Sequence, residues 1–201
     1  DEAYDQFAAQ VRAGAPGADL VLIETMSDLL EAKAALLAAK ENCTLPVYVT
    51  MSFAADGRSF LGCDPRTAAV TLASLGADAV GINCSLGPRE LLPLVREMAG
   101  CVRVPLLVQP NAGLPRIVDG STVFDVGPEE FAELVGALLD AGATMAGGCC
   151  GTTPEHISAM VRACRGVSVA QPAPVTRTLV TSYTHTVELG RAPLIIGERL
   201  N

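Results

Sequence analysis

The sequence contains no tryptophan and only two histidines, and aromatic side chains make up 4% of its 201 residues. A core must therefore be assembled from Ala, Val, Leu and Ile. An imidazole-rich metal site is not expected, since His156 falls inside a helical stretch and His185 in a polar one. Basic residues are also scarce: 14 Lys and Arg stand against 22 Asp and Glu, a net charge of −8. With no cationic surface to neutralise phosphates, no nucleic-acid partner is expected. No apolar run approaches the roughly 20 residues that cross a bilayer, and no basic segment leads into an apolar one, so no membrane partner is expected either.

What is present excludes a disordered chain, because half of the residues are hydrophobic and 18% are charged. The length predicts one domain or part of one. Cysteine occurs seven times, and Cys149 and Cys150 are adjacent. An odd count with a vicinal pair does not match the even, spaced framework of a small secreted domain. The expectation is a reducing cytoplasm and thiols that bind metal or react.

Short apolar, β-rich runs alternate with Ala/Leu-rich amphipathic stretches, which is βα repetition. Strands are predicted at Asp19–Glu24, Val47–Phe53, Asp78–Asn83, Pro105–Gln109 and Thr144–Gly147. Their continuous apolar character suits a parallel sheet covered on both faces. Helices are predicted from Ser27 or Asp28 to Asn42, Asp64-Pro65 to Gly76, Gly87-Pro88 to Gly100, Pro128 to Gly142 and Pro154 to Cys164, after a lone helix at Glu2–Arg12. Proline at the first helical position and glycine past the end punctuate them. Pro93 should bend or shorten the first turns of its helix.

Strand starts recur about every 30 residues, the rhythm of a (β/α)8 TIM-type barrel of about 250 residues. A doubly wound sheet has the same rhythm. The barrel is favoured because Glu24, Ser52, Cys84, Asn111 and Cys149-Cys150 all fall at predicted C-terminal strand tips, which a barrel gathers at one mouth. On this count the chain holds about the last five βα units, residues 1–167, with the N-terminal strands expected upstream of Asp1. Residues 168–192 read as an extended, Pro- then Thr/Ser-rich linker. Residues 193–201 read as the first strand of a following domain.

Several residues offer chemistry. Cys84, Cys149 and Cys150 would converge at the mouth, and the glycines of Gly147-Gly148-Cys149-Cys150-Gly151 allow close backbone approach to an ion. Three thiolates suit Zn²⁺ with a fourth position open. The pair alone fits equally well two small buried side chains or a redox-active vicinal disulfide. Cys43, Cys63, Cys101 and Cys164 read as packing residues. Glu24 could pair with a substrate ammonium or be a solvated residue before a helix. Asn111 offers an amide for a carboxylate or a metal, although Pro110 and Gly113 also make it a good turn residue.

The segments Val80-Gly81-Ile82-Asn83-Cys84, Gln109-Pro110-Asn111-Ala112-Gly113-Leu114-Pro115 and Gly147-Gly148-Cys149-Cys150-Gly151-Thr152-Thr153-Pro154-Glu155-His156-Ile157 together resemble the homocysteine S-methyltransferase family. The terminal Ile196-Gly197-Glu198-Arg199-Leu200-Asn201 is similar to the opening of the folate-binding barrel in the cobalamin-dependent, modular members. The resemblance implies that Cys84, Cys149 and Cys150 hold Zn²⁺ and that homocysteine binds through its sulfur. It also implies recognition of the amino-acid head by Glu24 and Asn111, with Ser52 beside them. In the modular members the methyl donor is methylcobalamin, recharged from methyltetrahydrofolate, so cobalamin-binding and folate-binding modules are the implied partners. A stand-alone enzyme using betaine or S-methylmethionine, and a non-catalytic zinc-binding fragment, are the alternatives. Asn111 is further expected to fill the fourth metal position before substrate arrives, an idea that a zinc-edge X-ray absorption spectrum showing sulfur alone would end. The family's Asp-Gly-bearing first strands have no counterpart in the sequence.

Overall fold

The computed structural model describes residues 1–168, 175–190 and 193. Five strands form one parallel sheet: β1 (Val21–Met26), β2 (Val47–Met51), β3 (Ala79–Asn83), β4 (Leu106–Gln109) and β7 (Met145–Ala146). Their spatial order, β1-β2-β3-β4-β7, repeats their order in the chain. A doubly wound sheet would reverse direction at a switch point. Here none occurs, and the arrangement is that of consecutive units of a (β/α)8 barrel, present as an open five-stranded part with β1 and β7 at its edges.

Helices α2 (Leu29–Asn42), α3 (Pro65–Ser74), α4 (Pro88–Ala99) and α5 (Pro128–Asp140) connect successive strands, and α6 (Pro154–Cys164) follows β7. Asp28 and Asp64 cap α2 and α3 by accepting the backbone N–H groups of Leu30 and Thr67, which satisfies donors the first turn cannot pair. Helix α1 (Glu2–Gly14) packs on α2, where Tyr4 donates to Glu41 and Arg12 donates to Asn42. Helix α4 runs unbroken through Pro93. The bond this proline cannot make would go to the carbonyl of Arg89, an exposed residue that water can serve.

The principal core lies between the sheet and its helices. Leu36, Val49, Phe53, Leu72, Ile82 and Leu91 are each 1% exposed or less. Burying each contributes about 2 kcal/mol relative to exposure, so many aliphatic side chains do the work that few aromatics cannot. Gly81 lets β3 and β4 approach: a Cβ there would lie 2.0 Å from the carbonyl oxygen of Leu107. A smaller cluster, Val126, Phe131, Val135 and Met160, joins α5 to α6.

Strand ends differ from the sequence reading by one or two residues, with one consequence. β1 does not stop at Glu24 but continues to Met26 through a bulge, where pairing with β2 skips between Ile23 and Met26. Two hairpins were not expected. β5 (Pro115–Val118) and β6 (Ser121–Phe124) form an antiparallel pair around Asp119-Gly120, both at positive φ. An Asp-Gly pair between β-branched runs is a strong hairpin signal. β8 (Thr178–Thr181) and β9 (Thr186–Leu189) occupy part of the stretch read as an extended linker. This hairpin docks on α3 through the hydroxyl pairs Thr67–Thr186 and Thr71–Thr181, each at 2.9 Å. Its threonines and valines are strand formers, which outweighs the polar composition. The expected strand at 193–201 lies outside the described residues, apart from Pro193.

Candidate metal centre

Because all five strands run parallel, their C-terminal ends share one side of the sheet, and the chain leaves each strand there to build the site. Ser52 follows β2 and is half-buried, its N–H donating to the carbonyl of Met26. Cys84 follows β3 and donates its N–H to the carbonyl of Gln109. Cys84 and Ser85 both lie at φ near +60°, a left-handed conformation unfavourable for side-chain-bearing residues by about 1–2 kcal/mol each. Such strain concentrates at functional sites.

The loop after β7 is latched to the loop after β4. Cys149 N–H donates to the carbonyl of Pro110, and Ala112 N–H donates to the carbonyl of Cys150. The Asn111 side chain adds a third tie, its Oδ1 accepting from Cys150 N–H at 3.1 Å. Gly151 turns the chain away at φ +78°, with Phe124 of the β5–β6 hairpin so close that a Cβ would fall 2.3 Å from the ring. Thr153 and His156 then open α6. His156 Nε2 donates to the carbonyl of Val126, which leaves Nδ1 to accept the N–H of Thr153.

These ties bring three sulfurs together. The Sγ atoms of Cys84, Cys149 and Cys150 all lie within 4.8 Å of one another, and Cys84 and Cys150 are 3.7 Å apart. No disulfide links them. A tetrahedral zinc with Zn–S bonds of about 2.3 Å has S···S edges of about 3.8 Å, so the donor set fits this metal in type, and the Cys84–Cys150 separation fits it in length. Burial, then the Cys84 thiol beside it, pushes the Cys149 thiol up to about 11. The Cys150 thiol is raised as well, by the Cys84 thiol first and burial second. These two thiols resist ionisation by themselves, and a nearby dication reverses that preference.

The other expected site residues are distributed unevenly. Asn111 is buried and touches the cysteine loop, its oxygen accepting Cys150 N–H, which leaves the amide protons and one oxygen lone pair to offer a ligand. Ser52 stands at a strand end as expected. Glu24 is exposed, lies within β1 rather than at its tip, and borders an apolar groove of about 450 Å³ between β1 and α1. Among the described residues nothing pairs with it.

Three residues were missed. Asn83 sits directly under the cysteines and is fully buried. Its Oδ1 accepts from Thr25 N–H and from the Thr50 hydroxyl, and its Nδ2 donates to Thr25 Oγ1. Thr25, at φ +60°, is the bulge of β1. Gln109 carries a buried Oε1 without a partner among the described residues, beside Gly147. An asparagine closing an otherwise apolar strand is the signal that could have found Asn83, since strands disfavour it.

The homocysteine S-methyltransferase family profile matches residues 1–164. The methionine synthase of Mycobacterium leprae is 36% identical over 213 aligned residues, and that of Mycobacterium tuberculosis 33% identical over 208. Each match covers 100% of this chain but only 18% and 17% of those proteins, so the chain spans less than a fifth of their length. Among solved structures, the apo form of the homocysteine methyltransferase MmuM from Escherichia coli superimposes with a TM-score of 0.63 at 25% identity, covering 80% of this chain and 57% of that one. With a family match over most of its length and a barrel-type sheet in common with a solved relative, the chain belongs to the homocysteine S-methyltransferase family.

Proposed function

We propose that this chain binds zinc through Cys84, Cys149 and Cys150 and presents homocysteine as a thiolate for methyl transfer, giving methionine. The observation that carries the reading is the convergence of three thiols, from two loops far apart in the chain, within 4.8 Å of one another, with Cys84 and Cys150 at 3.7 Å. The methionine synthase names of the whole-chain relatives support homocysteine as the methyl acceptor. They also support methylcobalamin as donor, recharged from methyltetrahydrofolate, with the cobalamin-binding and folate-binding modules as partners. A cytoplasmic setting keeps the three thiols reduced.

When bound, zinc supplies the charge that makes a thiol of pKa about 8.5 available as its anion near neutral pH. The protein's own part is geometric. The αL turn at Cys84-Ser85 and the latched Cys149-Cys150 loop hold the sulfurs before any ligand arrives, so little ordering remains to be done on binding. Asn111, its side chain oriented by the bond from Cys150 N–H, offers its amide protons to a substrate carboxylate. Ser52 adds a hydroxyl on the same side, and Glu24 supplies the negative charge for the substrate ammonium. The substrate sulfur forms the new S–CH₃ bond as the donor's bond to that methyl breaks, and the leaving pair stays on the donor.

The test is metal analysis of the purified chain, followed by titration of the zinc-loaded protein with homocysteine in weak buffer. About one zinc per chain and about one proton released per homocysteine bound are expected. Zinc retained without proton release would leave a metal-binding protein that does not activate the substrate, and would overturn the proposal.

A further inference from the structure

Asn83 is a costly residue where it stands. Strand β3 otherwise reads Ala-Val-Gly-Ile, every position of it is buried, and Asn83 itself is 0% exposed. A buried carboxamide is tolerated only when its donors and acceptors are all engaged. Its orientation is unambiguous, because the backbone N–H of Thr25, which can only donate, lies 2.8 Å from Oδ1. The Thr50 hydroxyl fills the second acceptor position at 2.7 Å, and one amide proton goes to Thr25 Oγ1 at 2.7 Å. The second amide proton has one partner, Cys149 Sγ, with Nδ2 and sulfur 3.9 Å apart.

We propose that Asn83 is a positioning residue of the thiolate site, donating its remaining amide proton to Cys149 Sγ and thereby stabilising that sulfur as a metal-bound thiolate. The inference rests on the proposed metal site and deepens it. A neutral thiol accepts such a bond weakly, whereas an anionic sulfur strengthens and shortens it. The same carboxamide staples Thr25 into its left-handed bulge, 58 residues away in the chain. One side chain thus couples the edge-strand bulge beside Glu24 to a metal ligand. Partners of this kind, one bond removed from the metal, typically change affinity by about 10- to 100-fold.

Two measurements on the full chain test the inference. The first uses wild-type protein loaded with an NMR-active cadmium isotope. A scalar coupling between cadmium and an Asn83 side-chain amide proton, carried through the N–H···S bond, is expected. A cadmium–thiolate signal without that coupling would overturn the role of Asn83 while leaving the metal site standing. Absence of any thiolate-bound cadmium would overturn the site and this inference with it. The second compares Asn83→Ala with Thr50→Val, the latter removing a bond to Oδ1 but leaving the amide protons in place. Asn83→Ala should weaken zinc binding by about 10- to 100-fold and shift the sulfur-to-cobalt charge-transfer band of the cobalt-loaded protein to lower energy. Thr50→Val should leave the band where it is. Equal shifts in both variants, or zinc affinity of Asn83→Ala within about twofold of wild type, would overturn the proposal.

Discussion

Cys84 Sγ and Cys150 Sγ stand 3.7 Å apart across 66 residues of chain, not joined as a disulfide and on loops that leave different strands. That separation matches the edge of a zinc–sulfur tetrahedron and is far longer than the roughly 2.05 Å of a disulfide. Removing one corner should therefore abolish tight binding without unfolding the chain. Cys84→Ala, at a half-buried position, is expected to lower zinc affinity by at least about 100-fold. Competition against a chromophoric chelator measures it, and unchanged circular dichroism shows that the fold persists.

Asn111 separates loop-holding from metal-holding. Asn111→Ala removes the acceptor of Cys150 N–H and should cost about 1 kcal/mol of stability together with about tenfold in zinc affinity. Asn111→Asp keeps an acceptor at the same place and should restore the zinc affinity. Thermal melts and chelator competition on the two variants give the comparison.

Four of the seven cysteines lie away from the site, and two of these should be chemically silent. Burial pushes the thiol of Cys63 up to about 12 and that of Cys101 up to about 11. At pH 8 both remain thiols, and the thiolate is the reactive form. Alkylation of native protein followed by peptide mass mapping should leave these two unmodified. Modification should appear only in denaturant.

Asp78 gives the acid limb of stability a local cause. Its carboxylate accepts the N–H of Val47 at the start of β2 and pairs with Lys40 of α2 at 3.1 Å. The Val47 N–H foremost, opposed by burial and helped by Lys40, holds its pKa below the ordinary carboxylate value. A depressed folded-state pKa contributes stability that is complete above about pH 4 and is lost as pH falls through the folded-state value. Because the group is nearly half exposed, water screens the ion pair, and the contribution is about 1 kcal/mol. Denaturant melts from pH 6 to pH 2 should show a shallower acid loss in Asp78→Asn than in wild type.

Much of the architecture was legible before any coordinates. Proline and glycine punctuation located α3 to α6 within a residue or two, because these residues act through local φ and missing N–H groups, and the cap at Asp28 with its apolar spacing located α2. The three cysteines could be assigned to one mouth from the direction shared by parallel strands alone. Less legible was anything set by pairing between distant segments. The bulge that carries β1 past Glu24 exists because Asn83 bonds Thr25. The β8–β9 hairpin has its place because threonines of α3 meet its threonines.

The sequence by itself determined which side chains could take part: three thiols beside strand ends, an amide in a tight turn, and a βα rhythm that stacks units in order. Tertiary structure alone decided their mutual distances, the turning of the Asn111 oxygen toward Cys150, and the insertion of Asn83 beneath the sulfurs. The reason is physical. Local propensity acts over a few residues, whereas a buried amide finds its partners only once the sheet has brought strands from far along the chain into register and excluded water from between them.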